Sequence, residues 1–314
     1  MLRVVGEPRR LERTISRLQA SLKGVPARGV RLTWRGGELR TTIHWARDDS
    51  FWWAFEPRRQ REALLLGHAP DSPTKRESIT CEINLPRAGA DRKLAGIIAA
   101  DEAGALFLAH SGRIAGTRRG LRQGLRKSAF REFLADGVWR RLAWPDGAET
   151  EALIVAPLDS PRLTRLLGQF VDAVRHFKAG DAPHSHGGFY VETTPIDSAR
   201  AACDRRLVDH ALHEELAKRG LFGGPDDLFS LRGERPQPLF ALVADGRPEE
   251  LAMAVGSLSL ASARSGADVR PILIAPAALA DRDDTALQAL PFACVRFRWR
   301  GARAVFDGLD DALQ

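Results

Sequence analysis

Between Ala179 and Gly188 the chain reads AGDAPHSHGG, ten small, polar or helix-breaking residues without a hydrophobic period. Such a stretch has little apolar surface to bury, so it separates packed cores instead of joining one. Immediately before it, Leu163, Leu166, Leu167, Phe170, Val174 and Phe177 recur at helical spacing and predict a helix over Arg162–Lys178. Beyond it a second helix is expected at Ser198–Arg219, stopped by Gly220. A length of 314 residues supports two ordinary cores. The sequence therefore predicts a first domain over 1–180 and a second over 189–314.

Upstream of the break, residues 7–22 read as a helix with Leu11, Ile15, Leu18 and Leu22 on one face. The rest of this half alternates. Gly29–Trp34 and Leu39–Trp45 flank Arg-Gly-Gly-Glu and predict a hairpin. Ser78–Leu85 places Ile79, Cys81, Ile83 and Leu85 on one side of a strand. A second hairpin is expected from Leu94–Ala100 and Ala105–His110, and Leu153–Pro157 reads as a short buried strand. Six tryptophans precede the break: Trp34, Trp45, Trp52, Trp53, Trp139 and Trp144. Most are expected in a β core. Neighbours on a strand face opposite ways, so one ring of Trp52-Trp53 is expected to be exposed and able to stack on a base.

Downstream, strands are expected at Asp227–Leu231, Leu239–Ala244, Pro271–Ala275 and Ala293–Trp299, with a helix at Pro248–Arg264. The whole reads as α+β, a basic β-rich N-terminal domain followed by an α/β domain. No run approaches the roughly 20 apolar residues that span a bilayer, so no membrane partner is expected. The opening residues lack the apolar stretch of a secretory signal, and Cys81, Cys203 and Cys294 are isolated, as reduced thiols would be. A cytoplasmic setting is the expectation.

The formal net charge is +7, and 41 of the 47 basic residues are arginine. That excess alone decides little, because a GC-rich genome loads any protein with arginine. Clustering is more telling. Between Glu102 and Glu132 no acidic residue occurs, in a chain that has 40 elsewhere. The window contains Arg113, Arg118, Arg119, Arg122, Arg126, Lys127 and Arg131, interrupted by Gly112, Gly116, Gly120 and Gly124. Glycines let backbone N–H groups turn toward an anion, and guanidinium forks match phosphate oxygens. These seven cations are the expected nucleic-acid contact, with DNA the expected partner. The spacing is no phosphate-binding loop of a nucleotide hydrolase, since Lys127-Ser128 lacks a preceding glycine.

Other constellations point to less. His176, His184 and His186 lack the carboxylates or cysteines that would complete a metal set. His210 and His213 share a helix face and read as surface residues. Ser160 before Pro161 is a helix cap and has no nucleophile elbow around it.

From Asp204 onward the order of elements resembles the restriction-endonuclease-like (PD-(D/E)xK) nucleases, on Leu207–Arg219 as first helix, Gly224-Pro225-Asp226-Asp227-Leu228 as the Asp strand, Leu239–Asp245 as second strand and Glu249–Ser262 as the next helix. The resemblance covers about the last 110 residues and implies a restriction-endonuclease-like fold in a DNA-processing or defence setting. That chemistry needs two carboxylates on Mg²⁺ and a lysine near the attacking water. Here the Glu and Lys positions are Ala241 and Val243, so the expectation is a degenerate domain with no catalytic residues, no cofactor and no metal. It would serve as a scaffold or a docking surface for a protein partner. The alternative is a Mg-dependent nuclease with relocated acids, using Asp227, Asp245 and Glu215 or its neighbour Glu214, with Arg247 in the lysine's place.

Overall fold

In the computed structural model, which describes residues 1–34, 37–115, 126–181, 198–221, 237–265, 269–279 and 281–314, the chain divides into two separately packed units, Met1–Pro183 and His184–Gln314.

The first unit begins with β1 (Leu2–Val4), α1 (Pro8–Ser21), β2 (Val25–Trp34), β3 (Gly37–Ala46), β4 (Phe51–Arg58) and β5 (Arg61–His68). It continues with β6 (Arg76–Ser78), β7 (Cys81–Pro86), β8 (Gly96–Ala100), β9 (Leu106–His110), α2 (Lys127–Phe133), β10 (Trp139–Ala143), β11 (Glu149–Pro157) and α3 (Leu163–Ala179). Five strands close a barrel in the order β1-β10-β11-β9-β8, and six form a sheet in the order β6-β2-β3-β4-β5-β7. The expected hairpins are β2–β3 and β8–β9, both antiparallel. Helix α3 packs on β11 of the barrel and on β5 of the sheet, and so ties the two together. Gly180 ends it with φ of 84°, its N–H returned to the carbonyls of His176 and Phe177.

Strands β4 and β5 have no alternating pattern because both of their faces are buried. Trp52, Ala54, Ala63 and Leu65 pack with Val30, Leu32 and Ile43 in one cluster. On the opposite side of the same strands, Trp53, Leu64 and Leu66 are also buried. Both rings of the Trp52-Trp53 pair are thus covered, which corrects the expectation that one would be exposed. The Trp53 indole N–H donates to Lys23 O at 3.1 Å, and the ring stacks on His44. Trp52 pairs across the sheet with Gly67, where any Cβ would enter the indole ring.

The second unit comprises α4 (Ala199–Lys218), β12 (Gln237–Leu242), α5 (Pro248–Ser265), β13 (Val269–Pro276), α6 (Asp281–Gln288), β14 (Ala293–Arg300), β15 (Arg303–Asp307) and α7 (Leu309–Leu313). Strands β12, β13 and β14 are parallel neighbours joined through helices, and β15 is antiparallel to β14. Leu239, Ala241, Val243 and Leu273 pack under Leu251, Ala254 and Leu258 of α5. Phe240, Leu242, Ile272 and Ile274 face the other way, onto Val208, Leu212 and Leu216 of α4. Burial on both faces accounts for the unbroken apolar runs LFALVA and PILIAP. The expected strand at Asp227–Leu231 lies outside the described residues, and α6, β15 and α7 had no sequence forecast.

Candidate nucleic-acid interface

The two units carry opposite charge. The first holds 32 of the 47 basic and 21 of the 40 acidic residues, a net +11. The second holds 15 and 19, a net −4. The chain's positive charge is therefore wholly a property of the first unit, and its acid-free window springs from the barrel.

The two roots of that window are built into the fold. At its start, β9 ends in His110, a fully buried ring whose Nδ1 accepts the Gly112 N–H at 3.1 Å. Burial, then the nearby Arg113, push His110 down to about 3, so the ring is neutral. Arg113 points back along the barrel. Its guanidinium donates to the carbonyls of Arg92 and Leu94 and to Ser111 Oγ. At the far end, the Lys127 ammonium donates to Glu151 O at 2.5 Å. Arg131 lies 3.5 Å from the Glu151 carboxylate, 5.1 Å above the Trp139 ring, and donates to Ala135 O. Phe130 and Phe133 of α2 anchor this root against Phe177 of α3. Arg126 precedes α2 as its N-cap residue. Arg118, Arg119 and Arg122 lie outside the described residues. Of the seven predicted contacts, Lys127 and Arg131 are brought together on Glu151, and Arg113 is held separately.

Next to the first root is a shallow depression of about 580 Å³, lined by Gly6, Glu7, Ala90, Arg92, Trp144 and Asp146 among others. Arg92 lies 5.3 Å over the Trp144 ring and contacts Asp146. Because Arg113 holds the Arg92 carbonyl, this arginine and the window share one support. Trp139 and Trp144 are buried, Trp45 is half-buried, and Trp34 is 42% exposed at the end of the β2–β3 hairpin.

Among the described residues, the predicted carboxylates of the second unit, Glu214, Glu215 and Asp245, each have a cation beside them. Glu215 on α4 is bound by Lys218 at 2.5 Å and by Arg219 at 3.0 Å, and their hydrogen bonds hold it below the usual carboxylate range. Glu214 meets Arg303 at 3.0 Å. Asp245 lies just beyond β12, bound by Arg247 at 2.6 Å. Its other neighbour, Glu250 on α5, accepts the N–H groups of Ala244 and Asp245 and is itself buried. Burial, then the hydrogen bond with Asp245, raise Glu250 to about 7. Helix α4 covers the Phe240 face of the sheet, whereas Asp245 is tied to α5, which covers the Ala241 face. Glu215 and Asp245 are thus served by different helices, and Asp227 lies outside the described residues. Among the described residues no three His, Cys, Asp or Glu side chains are placed to hold a metal ion.

The predicted histidines that lie among the described residues are likewise engaged by carboxylates. His176 lies 2.5 Å from Asp181 and 3.4 Å from Asp172; His210 meets Glu214 at 3.1 Å, and His213 meets Asp209 at 3.5 Å. His184 and His186 lie outside the described residues. All three cysteines are free thiols, and burial pushes Cys81 up to about 12. Three exposed arginines that sequence reasoning missed, Arg31, Arg40 and Arg76, share one face of the six-stranded sheet. The period-2 pattern around Arg31 and Arg40 was a usable signal, but nothing local joins them to Arg76. Comparison of the chain with protein-family models, with curated proteins and with solved structures returns no match.

Proposed function

We propose that this chain binds nucleic acid, with duplex DNA the first form to test, and that the first unit makes the contact. The observation that carries the reading is the partition of charge, +11 against −4, combined with an acid-free window whose two ends are bolted to the barrel. A polyanion gains by displacing its counterions onto such a surface. Within the window the residues divide by role. Arg113, Lys127 and Arg131 position its roots, and Arg118, Arg119, Arg122 and Arg126 are the phosphate contacts. The second unit serves as a scaffold without hydrolytic chemistry, since Ala241 and Val243 lie buried beneath α5 where a nuclease of the resembled type needs a carboxylate and a lysine.

The test is a fluorescence-anisotropy titration of the full-length protein against labelled duplex over a series of salt concentrations. Binding should weaken steeply with salt. Replacing Arg118, Arg119 and Arg122 with Ala should flatten the slope by about 0.9 per lost phosphate contact. Absence of binding at low salt overturns the proposal; equal affinity and slope in the variant remove the window from it.

A further inference from the structure

We propose that the outer face of β6–β2–β3 is a second phosphate-binding surface, on which Arg76, Arg31 and Arg40 follow the backbone of one nucleic-acid strand. The inference rests on the nucleic-acid reading above but uses none of the residues of the window. Arg31 is the direct cross-strand partner of Arg40 on one side and of Arg76 on the other. Neighbouring strands lie about 4.8 Å apart, so the three Cα atoms form a row about 10 Å long. Val30 and Leu32 point into the apolar cluster, which by strand parity sends Arg31 outward. All three arginines are exposed.

Like charges directly opposite one another on a sheet are destabilising. Two such pairs share the middle arginine, and the offset within the chain is small. Glu38 reaches Arg31 at 3.9 Å, with its own side chain 61% exposed. An ion pair so open contributes little. Among the described residues Arg40 and Arg76 have no ion-pair partner. Three exposed guanidinium groups in a row, with one open acid beside them, make a surface that an external polyanion can complete. A polymer with phosphates in series can meet the three guanidinium groups of the row, each with a forked, charge-assisted pair. Thr33, Glu38 and Ser78 flank the row on this face, as does Thr42 by strand parity with Arg40; the three hydroxyls add donors, and none of the four is an apolar side chain to insert into a lipid surface.

The experiment compares the full-length protein with three variants, R31A/R40A/R76A, R118A/R119A/R122A and E38Q, each titrated against labelled duplex and single-stranded DNA across a salt series. The row variant should lose at least about tenfold in affinity and as much as about 2.7 in duplex salt slope, and its effect should add to that of the window variant. E38Q removes the opposing acid and should bind about two- to threefold more tightly. That second variant keeps the test decisive if the triple substitution harms folding. Wild-type binding with unchanged affinity and slope in both the row variant and E38Q overturns this proposal and leaves the window reading standing. No binding by the wild type overturns both. A parallel arm uses phosphatidylcholine vesicles containing phosphatidylserine. If the row variant loses vesicle binding alone, the face belongs to a membrane and the proposal fails.

Discussion

In the second unit nearly every charge singled out above is answered within a few residues or by a packed neighbour, whereas in the sheet of the first unit three neighbouring arginines have, among the described residues, one open ion pair between them, Arg31 with Glu38 at 3.9 Å. Helix α4 shows how the answer is made. Glu215 reaches Lys218 and Arg219 one turn later, and Arg219 continues to Asp310 at 2.6 Å. On a β face the neighbours of Arg31 come from other strands, and both are arginines. An Arg-rich composition therefore does not by itself make a binding surface. What distinguishes the two regions is whether the fold supplies the counter-charge.

The largest effect that could break this contrast is catalysis in the second unit. The full-length protein is expected not to cleave DNA with Mg²⁺ or Mn²⁺ at any concentration tested. Metal-dependent cleavage that disappears in Asp227→Ala or Asp245→Ala would move the function from the first unit's cations to the second unit's acids.

The units should also respond oppositely to pH. His110 has a folded pKa depressed to about 3, so below its ordinary value near 6.5 the unfolded state binds a proton that the folded state refuses. The first unit's stability is then full above about 6.5 and declines as pH falls toward 3, by up to about 4 kcal/mol. Glu250 is raised to about 7, so its contribution is full below about 4.5 and is lost as pH rises through 7, on the order of 2 kcal/mol. Asp245, held low by Glu250 and Arg247 against the effect of burial, weakens only at the acid end. Thermal melts of the wild type, His110→Leu and Glu250→Gln across pH 4 to 8 check this. A melt of the first unit that keeps its full acid sensitivity in His110→Leu removes His110 as the cause.

The smallest effect separates root from contact within the window. Arg131→Ala loses an exposed ion pair and a stack on Trp139, together about 1 kcal/mol of stability. Its affinity for duplex should fall less than that of Arg118→Ala. A larger affinity loss in Arg131→Ala, with the melt unchanged, would place Arg131 among the phosphate contacts.

Local pattern was enough for α1, α3, α4 and the β2–β3 and β8–β9 hairpins, because their contacts are made within a few residues along the chain. The acid-free window was equally plain. What could not be read was which of its cations are spent on the fold, since Glu151 and the carbonyl of Arg92 approach only when the barrel closes. Burial on two faces erases the alternation that marks a strand, which hid β4 and β5 and left Trp52-Trp53 looking half exposed.

The sequence by itself determined the local elements, the two-part organisation of charge and the side of each strand on which an arginine stands. Only the tertiary structure decided that β1 closes a barrel with β10 and β8, and that β6 runs parallel beside β2. The physical reason is that strand pairing is set by backbone hydrogen bonds between segments far apart in the chain, and these carry no local sequence signature. That pairing places Arg76 beside Arg31, 45 residues earlier, and turns separate surface cations into a row.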